Sequence, residues 1–166
     1  DAFAEFLADY PGHKVISYIN CAAATKAMSD VICTSGNALK VVASYPPEQP
    51  VVFAPDRFLG AWVARKLGGD LVLWPGSCEV HEIFSEKRLV ELKTLHPGAV
   101  VLAHPECPEG ILQHADHVGS TSSILDQARR TDAKQIIVVT ESGILHQMAK
   151  ENPDKELIPA PGPDES

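Results

Sequence analysis

Apolar residues in this chain gather in short runs separated by longer stretches of mixed character. Val51-Val52-Phe53-Ala54, Val100-Val101-Leu102-Ala103 and Ile136 to Val139 are continuous runs, the signature of strands covered on both faces. Between such runs apolar positions recur at helical spacing, as with Phe3, Phe6, Leu7 and Tyr10. The pattern predicts strands over 14–18, 31–33, 51–54 and 71–74, with helices over 1–11, 22–28, 37–43 and 57–67. Gly68-Gly69 mark the end of the last helix. Residues 71–74, Leu-Val-Leu-Trp, read as a buried strand stopped by Pro75-Gly76. The second half predicts strands over 100–103, 117–119, 135–139 and 156–158. Its helices are expected over 86–95, where Ser85 is the cap, and over 108–115, 124–130 and 141–150. The Pro-rich end, 159–166, reads as a mobile tail.

The two halves repeat each other. Asn20-Cys21 matches Glu106-Cys107 and Asp30 matches Asp116, both 86 residues on; Ser35 matches Ser122 and Asp56 matches Glu141 at nearly the same offset. Alternating strands and helices in this arrangement imply an α/β fold of two repeated three-layer αβα units with parallel sheets, over 1–77 and 78–166.

Composition narrows the class of partner. The 166 residues are 45% apolar and 22% charged, with a net charge of −8. A nucleic-acid partner would call for a basic patch, so none is expected. No run approaches the ~18 apolar residues of a membrane-spanning helix, and the opening stretch has no secretion-signal pattern. Asp1 at the start and the abrupt Pro/Asp/Glu end suggest a piece of a longer protein. The four cysteines, Cys21, Cys33, Cys78 and Cys107, form no C-x-x-C pair, and disulfides are not expected. Cys21 and Cys33 read as core thiols.

Candidate chemistry sits at the carboxyl ends of the predicted strands, where ligands bind in open α/β sheets. Cys78 and His81 follow the 71–74 strand directly, and a soft thiolate with an imidazole suits a metal. Tyr18 and Asn20 follow the first strand of one half. His104 and Glu106 follow its counterpart, alternating around Pro105, and their types suit general acid/base work. Thr34-Ser35 and Ser120-Thr121-Ser122 stand before helices, as anion-binding hydroxyls or simple caps. Two such clusters suit a small molecule with two carboxylates, or one carboxylate and a phosphate. His13, His96, His114, His117 and His146 receive no role.

The strings VISYIN, CTSGNALKVV, FAPDRFLGAWVARK, LWPGSCEVHEIF, AHPECP and VGSTSSIL span almost the whole chain. Together they resemble quinolinate synthase, the iron–sulfur enzyme of NAD biosynthesis. The resemblance implies three similar α/β units in pseudo-threefold symmetry around one site, of which this chain looks like the second and third. It implies a [4Fe–4S] cluster held by one cysteine from each unit, with Cys78 as the ligand present here. The first unit and its cysteine are then expected upstream of Asp1, and the remaining cysteine beyond Ser166. The implied reaction condenses iminoaspartate with dihydroxyacetone phosphate, releasing phosphate and water, in the cytoplasm, with L-aspartate oxidase supplying iminoaspartate. Tyr18, Asn20, Ser35, His81, His104, Glu106, Ser120 and Thr121 carry over as substrate-binding positions. Among them Glu106, Tyr18 and His104 are the expected catalytic groups. Apart from the resemblance, the residues also allow a two-lobed dicarboxylate-binding module without catalysis, or a zinc site at Cys78, His81 and His104.

Overall fold

The computed structural model describes residues 2–161, in two compact units that meet between Ser77 and Cys78. The first unit runs α1 (Ala2–Ala8), β1 (Lys14–Tyr18), α2 (Ala23–Ala27), β2 (Val31–Cys33), α3 (Ala38–Ala43), β3 (Val51–Ala54), α4 (Arg57–Leu67) and β4 (Val72–Leu73). Its four strands are parallel in the order β2-β1-β3-β4. Central β3 is buried at all four residues, as a strand covered on both faces must be. Phe53, Val52, Ile16, Leu59 and Val63 are fully buried. Below Ala54, the rings of Phe3 and Phe6 stand edge-on to Trp74 at 5.3 and 5.1 Å, which docks α1 on the sheet.

The second unit runs α5 (Glu79–Glu82), α6 (Glu86–Leu95), β5 (Val100–Ala103), α7 (Glu109–Leu112), β6 (His117–Val118), α8 (Thr121–Arg130), β7 (Gln135–Val139), α9 (Gly143–Glu151) and β8 (Glu156–Pro159). Its sheet is again parallel, in the order β6-β5-β7-β8. Leu102, Ile136 and Val138 of the sheet pack on Ile124, Leu125 and Ala128 of α8 and on Ile144 and Met148 of α9.

The repeat holds to the register. Val15 lies opposite Val52, and Val101 opposite Ile137; Ile16 lies opposite Val31, and Leu102 opposite His117; Val52 lies opposite Val72, and Ile137 opposite Ile158. A carboxylate fixes the same point in each unit. Asp30 accepts the Val15 N–H at 2.8 Å, and Asp116 accepts the Val101 N–H at 2.8 Å. The backbone N–H of each aspartate in turn donates to the carbonyl of the same valine.

Helix ends follow local chemistry. Asp56 caps α4, its Oδ1 accepting the Leu59 N–H at 2.7 Å, and Gly68 closes that helix at φ +66°, where a side chain would be strained. Ser85 caps α6 by accepting the Arg88 N–H.

Several expectations are corrected. The 71–74 strand is a two-residue edge strand and only half-buried, because it has a neighbour on one side alone. The helix expected over 108–115 is four residues long, the chain turning down to Asp116, which is bonded back to Val101. The helix expected from 124 starts at Thr121, because Ser120 caps it, and the one expected from 141 starts at Gly143. Glu141 thus precedes its helix rather than opening it. Cys33 is buried as expected, but Cys21 is half-exposed. Pro159 belongs to β8 and Ala160 is buried, its N–H donating to the Val138 carbonyl, so these two are not part of a mobile tail; the rest of that expectation, over 162–166, lies outside the described residues.

Candidate functional site

The strand order of the second unit places a topological switch between β5 and β7, whose onward connections run to opposite sides of the sheet. A crevice forms outside the carboxyl ends of such a strand pair. His104 and Glu106 leave the end of β5, and Thr140 leaves the end of β7. The N–H of His104 donates to the Val139 carbonyl at 3.1 Å, so the exit of β5 stays tied to β7 beyond the ladder itself.

Cys78 is the N-cap residue of α5, a short helix that the sequence pattern did not predict, and His81 lies one turn into it. A spacing of three on a helix puts both on one face. His81 Nδ1 is 3.2 Å from Cys78 Sγ and 3.6 Å from Glu106 Oε2, and its Nε2 is 2.9 Å from Thr140 Oγ1. Its ring stacks on that of His104, with centroids 4.8 Å apart. His104 Nδ1 is 3.1 Å from Glu106 Oε2 and 3.4 Å from the Glu106 N–H. Glu106 and His104 are each 3% exposed and His81 is 6% exposed. Glu106 is therefore not a solvent-facing loop residue.

Burial, with the neighbouring His104 adding to it, lowers the pKa of His81 to about 4 against a smaller upward pull from Glu106. His81 is therefore neutral near pH 7, with one ring nitrogen to donate and one to accept. The ligating atoms of Cys78, His81 and Glu106 lie within 4.8 Å of one another, a grouping able to hold a metal ion. The third member is Glu106. His104, expected from sequence in a zinc set, instead turns its Nδ1 to that carboxylate.

For an iron–sulfur cluster the fit is partial. Cys78 is a half-exposed thiol beside other ligating groups. Cys107 is fully buried with its Sγ toward the Val139 carbonyl at 3.6 Å, and burial pushes Cys33 up to about 11. Neither is a ready thiolate. Among the described residues of the second unit, one cysteine, Cys78, thus fits as an attachment point.

The remaining expected positions stand as follows. Ser120 caps α8, its Oγ accepting the Ser123 N–H and lying 3.1 Å from Ser122 Oγ, while Thr121 is exposed on the first turn. In the first unit Tyr18 ends β1 and is half-buried, Asn20 is exposed in the loop that follows, and Ser35 lies in the turn before α3. The hydroxyl of Thr34 and the Asn37 Oδ1 close that turn at 3.1 Å. Thr140 was missed by the sequence reading. It follows β7, the third strand of its repeat, where no run or spacing in the sequence marks it.

Fold and site together define a duplicated parallel α/β protein whose second unit gathers a cysteine, two histidines and a glutamate, three of them able to hold a metal ion, near its strand ends. The family model described as quinolinate synthetase A protein matches residues 1–165. The quinolinate synthase of Thermosynechococcus vestitus is 57% identical over 166 residues, which is 100% of this chain and 52% of that protein. That of Microcystis aeruginosa is 57% identical over 159 residues, covering 96% and 50%, and that of Chloroherpeton thalassium 53% over 164, covering 99% and 51%. The chain belongs to the quinolinate synthase family. It spans about half the length of these relatives.

Proposed function

We propose that this chain supplies two of three α/β units of a quinolinate synthase, which condenses iminoaspartate with dihydroxyacetone phosphate to quinolinate, phosphate and water in NAD biosynthesis. Iminoaspartate would come from L-aspartate oxidase, in the cytoplasm. The observation that carries this reading is the half-exposed Cys78 grouped with buried His81 and Glu106, with buried His104 beside them, where α5 meets the ends of β5 and β7.

Cys78 would hold one iron of a [4Fe–4S] cluster, the other two thiolates coming from the part of the family's length that this chain does not span. When bound, such a cluster would offer an iron with an open position, a Lewis acid that polarises a substrate oxygen. Glu106, buried beside two imidazoles, would carry protons to and from substrate carbon and oxygen. His104 would donate to the carbonyl or hydroxyl oxygen of the triose, and Tyr18 is proposed for the same task. His81 would orient substrate. Ser120 and Thr121, at the start of α8, would receive a carboxylate or phosphate, since helix N-termini favour anions. Substrate-binding roles for Asn20 and Ser35 rest on strand-end position and on the family resemblance.

The test is an anaerobic purification at the protein's natural length, with iron, sulfide and the visible spectrum measured beside Cys78→Ser. About four irons and four sulfides, lost in the variant, together with quinolinate formation, are expected. Absence of iron overturns the reading. Zinc in its place would favour a mononuclear site at Cys78, His81 and Glu106. The 166-residue chain by itself is proposed to hold no cluster and to be inactive; colour and iron after its reconstitution would overturn that part.

A further inference from the structure

Thr140 has no place in the scheme above, yet its hydroxyl lies 2.9 Å from Nε2 of His81. The contact joins residues 59 apart in the chain, from the end of β7 to α5. The other ring nitrogen, Nδ1, faces two groups that accept when ionised: Cys78 Sγ at 3.2 Å and Glu106 Oε2 at 3.6 Å. A carboxylate has no proton to give, whereas a cysteine sulfur can accept or donate weakly, so the carboxylate decides. An N–H on Nδ1 suits that neighbour better than a lone pair, and Nε2 is then the acceptor. A threonine hydroxyl can donate to such a nitrogen, whereas an apolar side chain cannot.

The internal repeat offers a control. Val139 occupies the register position of Ala54, since Ala103 lies opposite Val139 as Ser17 lies opposite Ala54. The residue after Ala54 is Pro55, with no hydroxyl. Leaving the third strand in this fold thus does not require a hydroxyl at that point. The second unit has one, and it meets the buried imidazole.

We propose that Thr140 is a positioning residue: its hydroxyl donates to Nε2 of His81 and so holds the ring with Nδ1–H directed at the Cys78 sulfur and the Glu106 carboxylate. Metal-ligating imidazoles are oriented by a hydrogen bond on their other ring nitrogen, and Thr140 would orient His81, beside Cys78, by the same kind of contact. The inference deepens the family reading for this site, but its geometry does not depend on the reaction.

The test reads the tautomer directly. The full-length protein is labelled with 15N at histidine, kept reduced and metal-free, and His81 is assigned by its loss in His81→Gln. Long-range 15N–1H spectra are then recorded on wild type, Thr140→Val and Thr140→Ser. In the wild type Nδ1 is expected to carry the proton and Nε2 to resonate as a bare, pyridine-like nitrogen. Thr140→Val should lose that form as the dominant species, and Thr140→Ser should keep it. A wild-type ring protonated at Nε2 overturns the proposal even if the valine variant does not fold. So does a valine variant that folds with the tautomer unchanged. A failed quinolinate assay would count against the family reading and leave the ring assignment standing; a wrong tautomer would do the reverse.

Discussion

A carboxyl group as buried as that of Glu106 needs partners, and it has them in the imidazoles of His81 and His104. Gln at this position keeps the shape and can accept one hydrogen bond, but it cannot take up a proton. In the natural-length protein Glu106→Gln is expected to keep the cluster's visible absorption and to lower quinolinate turnover by about two to four orders of magnitude. Near-normal turnover would remove Glu106 from the proton path. Thiols offer a second check. Burial pushes Cys33 up to about 11, and Cys107 is sealed at 0% exposure. Alkylation near pH 8 followed by peptide mass mapping should leave both unmodified until denaturant is added. Modification of either in the native protein would contradict the packing described.

At the scale of elements, the paired aspartates show how a side chain sets a strand. Asp30 accepts the Val15 N–H and pairs with Lys14 at 2.9 Å; the backbone bond, then the lysine, holds its carboxyl below the usual aspartate range. A depressed carboxyl pKa adds stability above the unfolded value of about 3.9 and loses it as the pH falls through the folded one. Solvent screening of this partly exposed group limits the effect. Asp30→Ala should cost about 1 kcal/mol at pH 7, and the gap to wild type should narrow below about pH 3.9. Urea denaturation at pH 7 and pH 3 measures both. Much of this level was legible in the chain. The bounds of β1, β2, β3, α4, α6, β5 and β7 agree with the expected ones, because apolar runs and clear stop residues enclose them. What was not legible depends on tertiary contact. The four residues of α5 carry no period of their own, the burial of Glu106 is imposed by His81 and His104, and Thr140 acquires meaning only when α5 is laid against β7.

At the scale of the whole chain, one topology is used twice and the chemistry is not. Both sheets share strand order and register, and the matched aspartates do the same work in each. The buried His81, His104 and Glu106 appear in the second unit, where Glu106 stands at the position of Asn20, which is exposed. The two units thus share a scaffold and differ in the side chains at their strand ends. The brevity of β4 has a further consequence. Two ladder residues, with the Trp74 N–H on the Phe53 carbonyl and the Arg57 N–H on Gly76, hold the chain just before Cys78. Local opening is easiest where few backbone bonds must break together. In hydrogen–deuterium exchange the amides of 72–78 should lose protection well before those of β1 and β3, and equal protection would show that packing rather than the ladder secures them. The thiol proposed to anchor a cluster thus follows a strand of only two ladder residues, and the exchange rate of that stretch would report how firmly the ligand is presented.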